Sequence, residues 1–373
     1  MYNQMSGRNI GCTEENMSMI KKAIVGMSGG VDSAVCAYLM KMAGYDVIGL
    51  TLKTWIAEDG TQSRCCELDD AQRICDALGI PYYVHSCMDE FDKNVIKPFI
   101  DCYLQGKTPN PCIGCNKDIK WEKMMEAARM YGADVVATGH YASVVELSNG
   151  RYTVKAGVHA DKDQSYMLYR LTQEQLRATV MPLGKLSKDE VRQIAKKAGL
   201  PVADKPDSQE ICFIPDGDYA SYIEEHADEV PGEGNFVDAE GNILGKHKGI
   251  IHYTVGQRKG LGIALGYPAF VNRICPDTGD IVLGREDSIY RSQIDLEDIS
   301  YVGLEDIREG EEVSCHVKVR YHHAGEKAVL KRTGEDSVHI VFENPVRFAA
   351  PGQSAVFYDD DGCVLGGGII SFF

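Results

Sequence analysis

Gly26-Met27-Ser28-Gly29-Gly30-Val31-Asp32-Ser33 is the stretch whose reading decides the fold of this chain. It follows a short apolar run, Ala23-Ile24-Val25, and precedes a helical pattern through Ala34, Val35, Cys36, Ala37, Leu39 and Met40. The order is strand, tight glycine loop, helix. Gly29 and Gly30 have no Cβ, so backbone amides can close on an anion there. The helix start adds unpaired N–H groups and a partial positive charge. Ser28 and Ser33 offer hydroxyls, and Asp32 offers a carboxylate for magnesium. The loop suits phosphate, above all the pyrophosphate end of ATP. It lacks the Gly-Lys-Ser/Thr ending of a Walker A loop and the Gly-x-Gly-x-x-Gly of a dinucleotide fingerprint.

Outward from that loop, strand and helix patterns alternate to about residue 215. Strands are expected at Asp46 to Leu52, Tyr82 to His85 and Asp134 to Thr138. Helices are expected at Asp69 to Leu78, Asp89 to Gln105, Ile119 to Met130 and Ser187 to Ala198. Such alternation predicts an α/β domain with a parallel sheet covered on both faces. Ligands in these sheets bind beyond the carboxyl ends of the strands, so the loops after Val25, Leu52 and Thr138 should share one crevice. Ser187 with Glu190 three residues on reads as a capping box, and Gly199 and Pro201 as the helix end. Past residue 215 glycines become frequent. Short alternating segments follow: Phe270 to Ile274, Ile281 to Leu283, Val313 to Tyr321, Val338 to Phe342, Ser354 to Tyr358 and Val364 to Ile370. These predict antiparallel β structure in two small units. The expected division is a leader over 1–20, an α/β domain over 21–215, a central β domain over 216–290 and a C-terminal β domain over 291–373.

A chain of 373 residues can hold two or three domains with sizeable cores. No apolar run approaches the ~20 residues that span a bilayer, and residues 1–20 lack an apolar signal core. A cytoplasmic protein without a membrane partner is expected. The 13 cysteines then read as reduced thiols, metal ligands or redox groups. The net charge of −16 argues against general nucleic-acid affinity. The charge is uneven, however. Lys246, Lys248, Arg258 and Lys259 occur with no acid across 242–260, and Lys318, Arg320, Lys327, Lys331 and Arg332 face Glu326 alone across 313–332. Basic patches on an acidic body suit a specific RNA contact, or else solvated strand faces.

Residues 108 to 117 read Thr-Pro-Asn-Pro-Cys-Ile-Gly-Cys-Asn-Lys. Two prolines, an asparagine and a glycine predict a loop. Cys112 and Cys115 form a C-x-x-C pair with no second pair after it, so a four-cysteine zinc ribbon is not expected. Cys212 is a third candidate, near the end of the α/β domain. Three such cysteines can carry and resolve a persulfide, or hold an iron–sulfur cluster with one iron open. A thiolate acts in either case, so positive charge such as Lys117 would help. Cys65-Cys66 reads as incidental, and Cys36 and Cys75 as core residues.

The opening loop resembles the Ser-Gly-Gly-x-Asp-Ser loop of the ATP pyrophosphatases, which cleave ATP between the α and β phosphates. Further segments match in order. They are Thr108-Pro-Asn-Pro111 with Cys115-Asn-Lys117, Ala137-Thr-Gly-His-Tyr141, Lys162-Asp-Gln-Ser-Tyr166, Asp207-Ser208 with Ile211-Cys-Phe-Ile214, and Tyr253-Thr-Val-Gly-Gln-Arg-Lys-Gly-Leu261. Across residues 20 to 373 the chain closely resembles the bacterial tRNA-specific 2-thiouridylases. The resemblance implies a Rossmann-like ATP pyrophosphatase domain followed by two small mainly-β domains, the last a β-barrel. It implies ATP-dependent placement of sulfur on C2 of the wobble uridine, position 34, in tRNAs for Lys, Glu and Gln. The partners are then tRNA and a sulfur donor, either a cysteine desulfurase or a sulfur-relay protein.

By the same resemblance Gly26, Met27, Ser28, Gly29, Gly30, Val31, Asp32, Ser33, Leu52 and Gly139 hold ATP with magnesium. Asn110, Pro111 and Cys112 face the target base. Lys162, Asp163, Gln164, His140, Arg320, Tyr321 and Gln353 contact the tRNA. Cys115 is the nucleophile, and Cys212 carries the incoming persulfide. The commonest form of the family has Asp where this chain has Cys112. That departure gives Cys112, Cys115 and Cys212 the three-thiolate set of cluster-dependent tRNA thiolases, so a [4Fe–4S] cluster stands beside the persulfide route. Two other classes compete: an adenylating enzyme of a small molecule, and a nucleotide-binding regulator without catalysis. The first gives the C-x-x-C segment and the basic β region no task, and the second would be favoured by loss of Asp32 or Cys212, both of which are present.

Overall fold

The computed structural model describes residues 20–56, 67–206, 211–214 and 216–371. The expected leader, except Ile20, lies outside them, as do Cys65-Cys66 and Asp207-Ser208. Apolar β-branched runs form strands β1 (Lys22–Gly26), β2 (Asp46–Lys53), β3 (Tyr82–Ser86), β4 (Val135–Ala137) and β7 (Thr179–Val180). They make one parallel sheet in the order β3-β2-β1-β4-β7. Alternate residues of β1 face opposite sides. Ala23 and Val25 enter a core with Val35 of α1 (Val31–Met42), Ile74 of α2 (Leu68–Leu78) and Val191 of α8 (Lys188–Lys197). Ile24 enters another with Trp121, Met124 and Leu168. This is the doubly covered parallel sheet that the sequence predicts.

Among the described residues the other α-helices are α3 (Met88–Phe91), α4 (Lys97–Leu104), α5 (Pro111–Gly114), α6 (Glu122–Tyr131), α7 (Gln173–Arg177) and α9 (Tyr219–His226), with π-helical turns at Asp92–Ile96 and Cys115–Trp121. The 108–117 segment corrects the loop expectation. From Pro111 onward it is helical, and it runs through the π turn into α6. The composition that reads as a breaker works here as a helix start. Asn110 is the N-cap, its side chain accepting from the Cys112 N–H at 3.2 Å, and Pro111 sits at the first helical position, where no N–H is needed. Ser187 and Glu190 form the expected capping box.

A hairpin of β5 (Ala142–Glu146) and β6 (Tyr152–Ala156) lies between β4 and β7 in the chain. Next comes a four-stranded sheet of β8 (Gly234–Val237), β9 (Ile243–His247), β10 (Phe270–Cys275) and β11 (Asp280–Gly284) in the order β10-β11-β8-β9. Strands β12 (Tyr290–Tyr301), β13 (Glu312–Lys318), β14 (Glu326–Gly334), β15 (Ser337–Arg347), β16 (Ser354–Tyr358) and β17 (Val364–Ile370) then close an antiparallel barrel. Among the described residues no helix is long and apolar enough to cross a membrane.

Two apolar and polar seams join these units. Phe91 and Phe99 pack edge-on to Phe213, and the same core holds Cys115, Phe236 and Val271. On the barrel side, Asp163 is 6% exposed and accepts from Gly157 N–H, Ser165 N–H, Ser165 Oγ and, at 3.0 Å, Lys318 Nζ of β13. Asp163→Ala should therefore lower the unfolding free energy by roughly 3 kcal/mol or more, because it takes the acceptor from the Gly157 and Ser165 N–H groups and the carboxylate from the partly buried Lys318 ammonium. Urea denaturation checks this; a loss below about 1 kcal/mol would contradict the role given to this pair.

Candidate active site

The loops that leave the carboxyl ends of β1 and β4 lie against each other. Gly29 has φ +77, and a Cβ there would lie 2.7 Å from the Glu67 carbonyl oxygen, so only glycine fits. Ser33 donates to the Gly30 carbonyl at 3.0 Å and accepts from Ser28 N–H and Oγ at 3.3 and 3.2 Å, which fixes the loop around the first turn of α1. Met27 and Val31 anchor it in the core at 2% and 4% exposure, and Met27 N–H donates to Leu50 O at 2.8 Å. Leu52, half-buried at the end of β2, borders two of the cores. Gly139 seats the β4 loop against this turn. A Cβ there would meet the Asp32 carbonyl carbon at 2.7 Å and Ser33 N at 2.9 Å.

Asp32 is already engaged. Lys188 Nζ donates to both its oxygens at 2.8 Å, and Tyr141 Oη donates to Oδ1 at 2.7 Å. The sequence reading missed both partners. On the other flank Lys205 Nζ bonds Glu67, Asp70 and, at 3.3 Å, the Gly29 carbonyl. The carboxylates draw the Lys205 pKa upward against the opposing effect of burial. The signal that could have found Lys188 is its position as first residue of a helix, where the macrodipole disfavours a cation.

The predicted RNA-facing residues divide into two groups. Lys162 and Tyr321 are partly exposed, and Tyr321 lies within electrostatic range of Cys112 and packs edge-on to Tyr166 at 6.2 Å. Arg320 donates to the Arg347 carbonyl at 2.8 Å and lies over the Phe348 ring, whose backbone φ is +59. Burial and the neighbouring Arg347 lower its pKa from the usual guanidinium value. The second group is tied to the protein itself. Asp163 is the buried acceptor described above. Gln164 Oε1 accepts from Tyr141 N–H at 2.9 Å. Gln353 Nε2 donates to Thr108 O at 2.8 Å, and Thr108 N–H donates to Pro351 O at 2.8 Å, which docks the cysteine-bearing segment on the barrel. His140 bonds Thr138 Oγ1 at 2.9 Å and lies against Trp121. Burial, aided by Lys120, pushes its pKa down to about 3. It is a neutral imidazole that can meet a base but brings no charge to a phosphate.

The cysteines are distributed unequally. Cys112 is exposed, beside Asn110, whose Nδ2 contacts Met167 Sδ at 3.4 Å. Cys115 is buried in the Phe91–Phe99–Phe213 core, and Cys212 packs against the same core. Among the described residues no set of three or more His, Cys, Asp or Glu is gathered to hold a metal ion. Cys36 and Cys75 are fully buried core thiols, the latter pushed up to about 12 by burial.

A Ser-Gly-Gly-Val-Asp-Ser loop at the strand ends, a C-x-x-C helix start and a β-barrel docked on it suit an enzyme that acts on a nucleic acid. Family profiles match all three units: "tRNA methyl transferase HUP domain" over residues 21–216, "tRNA methyl transferase PRC-barrel domain" over 220–285 and "Aminomethyltransferase beta-barrel domain" over 291–370. The tRNA-specific 2-thiouridylase MnmA of Lachnoclostridium phytofermentans is 51% identical over 358 residues, 94% of this chain and 99% of the relative. That of Clostridioides difficile is 49% identical over 360 residues, 95% and 99% of the two chains. The chain belongs to the tRNA-specific 2-thiouridylase family. Among solved structures, the U34-tRNA thiolase NcsA of Methanococcus maripaludis with its [4Fe-4S] cluster is 21% identical at a TM-score of 0.35, covering 56% of this chain and 67% of its own. A likeness that slight carries no argument about the site.

Gly139→Ala should push the β4 loop off the first turn of α1. ATP affinity measured by calorimetry should fall at least about tenfold, the loss of one charge-assisted contact or more. Wild-type affinity in the folded variant would contradict the close seating.

Proposed function

We propose that this chain, acting in the cytoplasm, replaces the C2 oxygen of the wobble uridine, position 34, with sulfur in tRNAs for Lys, Glu and Gln. The observation that carries the sulfur route is the shared packing of Cys115 and Cys212 on one apolar core, with Cys112 exposed outside it. The three units over 21–215, 216–290 and 291–373 divide the work: nucleotide chemistry in the first, RNA docking through the basic stretches of the others.

The uracil C2 oxygen is a poor leaving group. It attacks the α-phosphorus of ATP, the bond to the β-phosphate breaks, and pyrophosphate leaves onto the amides and hydroxyls of the Gly26–Ser33 loop. The uridine must leave the anticodon stack to reach the crevice, where Asn110 and Cys112 face it. Cys212 arrives as a persulfide loaded by a cysteine desulfurase or sulfur-relay protein. Its terminal sulfur attacks C2, and AMP departs with the former O2. The Cys115 thiolate then attacks Cys212 Sγ. The 2-thiouridine is released, the two cysteines become a disulfide, and an external dithiol reduces them. The electron balance closes with two cysteines, so Cys112 is not required to donate electrons. Magnesium would suit the anionic nucleotide here, and Asp32 is the carboxylate of the loop that would hold it. A three-cysteine iron–sulfur cluster is the second reading, favoured by the thiol at position 112.

Cys212→Ser should abolish thiolation yet retain tRNA-stimulated pyrophosphate release, while Cys112→Ser should keep most thiolation. Mass spectrometry of tRNA nucleosides, with iron and sulfide analysis after anaerobic purification, checks this. Stoichiometric iron together with loss of thiolation in Cys112→Ser would replace the persulfide route with the cluster.

A further inference from the structure

The Lys188–Asp32 pair has features that a helix-packing contact does not need. Helices α1 and α8 already pack through Val31, Ala34, Val35, Val191 and Ala195. Lys188 nevertheless places its ammonium against the first turn of α1, at the end of its own helix that disfavours positive charge. Its side chain is 13% exposed, so the ammonium is largely withdrawn from water. Asp32 in turn sets a carboxylate in the turn whose amides should receive phosphate. Left alone, that negative charge would repel a polyphosphate. Lys188 cancels it, with the Tyr141 ring 5.7 Å from the ammonium and the Tyr141 hydroxyl on the same carboxylate.

We propose that Lys188 is a pyrophosphate-binding residue, held on Asp32 until nucleotide arrives. When ATP enters with its divalent cation, Asp32 exchanges the ammonium for that cation. Lys188 turns to the β and γ phosphates and stays on the pyrophosphate after the α–β bond breaks. The exchange moves charge and breaks no covalent bond. It leaves the local charge balanced before and after binding, which the acid alone cannot do. Lys205 has a different part: its bond to the Gly29 carbonyl holds the loop backbone in place. The proposal rests on reading Gly26–Ser33 as the pyrophosphate loop.

The test is calorimetry on the full chain with inorganic pyrophosphate, AMP and magnesium ion as separate probes. Lys188→Met keeps the apolar stem and removes the charge. It should weaken pyrophosphate binding about tenfold or more, the scale of one hydrogen bond to a charged group. AMP, which lacks the β and γ phosphates, should bind as in wild type. Magnesium ion should bind more tightly, because Asp32 is vacated. Lys188→Arg should recover part of the pyrophosphate affinity. Equal pyrophosphate affinity in wild type and Lys188→Met overturns the proposal, and so does a parallel loss of pyrophosphate and AMP, which marks a collapsed site. A wild-type chain that binds ATP only through its adenosine and ignores pyrophosphate overturns the loop reading itself, a separate outcome.

Discussion

The backbone of Gly139 lies against the first turn of α1 with no room for one more carbon. Much of the molecule follows from that contact. It brings the Thr138-Gly139-His140-Tyr141 turn beside the phosphate loop, so the Tyr141 hydroxyl reaches Asp32. The Tyr141 backbone exchanges hydrogen bonds with Gln164 on both sides, its N–H to Gln164 Oε1 and its carbonyl from Gln164 N–H. Asp163, next along the chain, takes Lys318 from the barrel. A continuous set of contacts thus runs from the nucleotide loop to the domain that should meet RNA. A second set runs from Thr108 to Gln353 and Pro351 and fixes the cysteine-bearing helix on the same barrel.

The parts of the fold set by local chemistry were legible in the sequence. Glycines that need positive φ, apolar runs of strand length and the Ser187–Glu190 cap depend on neighbours a few residues away. The Ser-Gly-Gly-Val-Asp-Ser loop belongs to this class, which is why it could be placed without a structure. The 108–117 segment was misread for a reason of the same kind. Prolines and asparagine break a helix interior but begin one, and composition alone does not say which end is in view. Strand β12 was hidden for another reason. It bends twice at irregular pairings and carries Asp298 at φ +54, so its alternation is interrupted.

The site was legible in its motifs and not in its wiring. Lys188, Lys205 and Tyr141 act on the loop from more than 100 residues away. No periodicity reports such contacts. Asp163, Gln164, Gln353 and His140 carry the motif letters expected at RNA, yet each is engaged with the protein itself in this structure. Arg320 is engaged in the same way, through the Arg347 carbonyl. The net charge of −16 has a similar lesson. A chain this acidic can hold a polyanion only where its carboxylates are locally answered, as Asp32 is by Lys188 and Asp163 by Lys318.

The central claim is that the uracil oxygen becomes a phosphoryl acceptor before sulfur arrives. A tRNA carrying ¹⁸O at C2 of the wobble uridine tests it directly. After one turnover with a loaded sulfur donor, mass spectrometry should find one ¹⁸O in AMP and none in pyrophosphate. AMP without the label would contradict the account, because the oxygen would then have left by a route that ATP did not open.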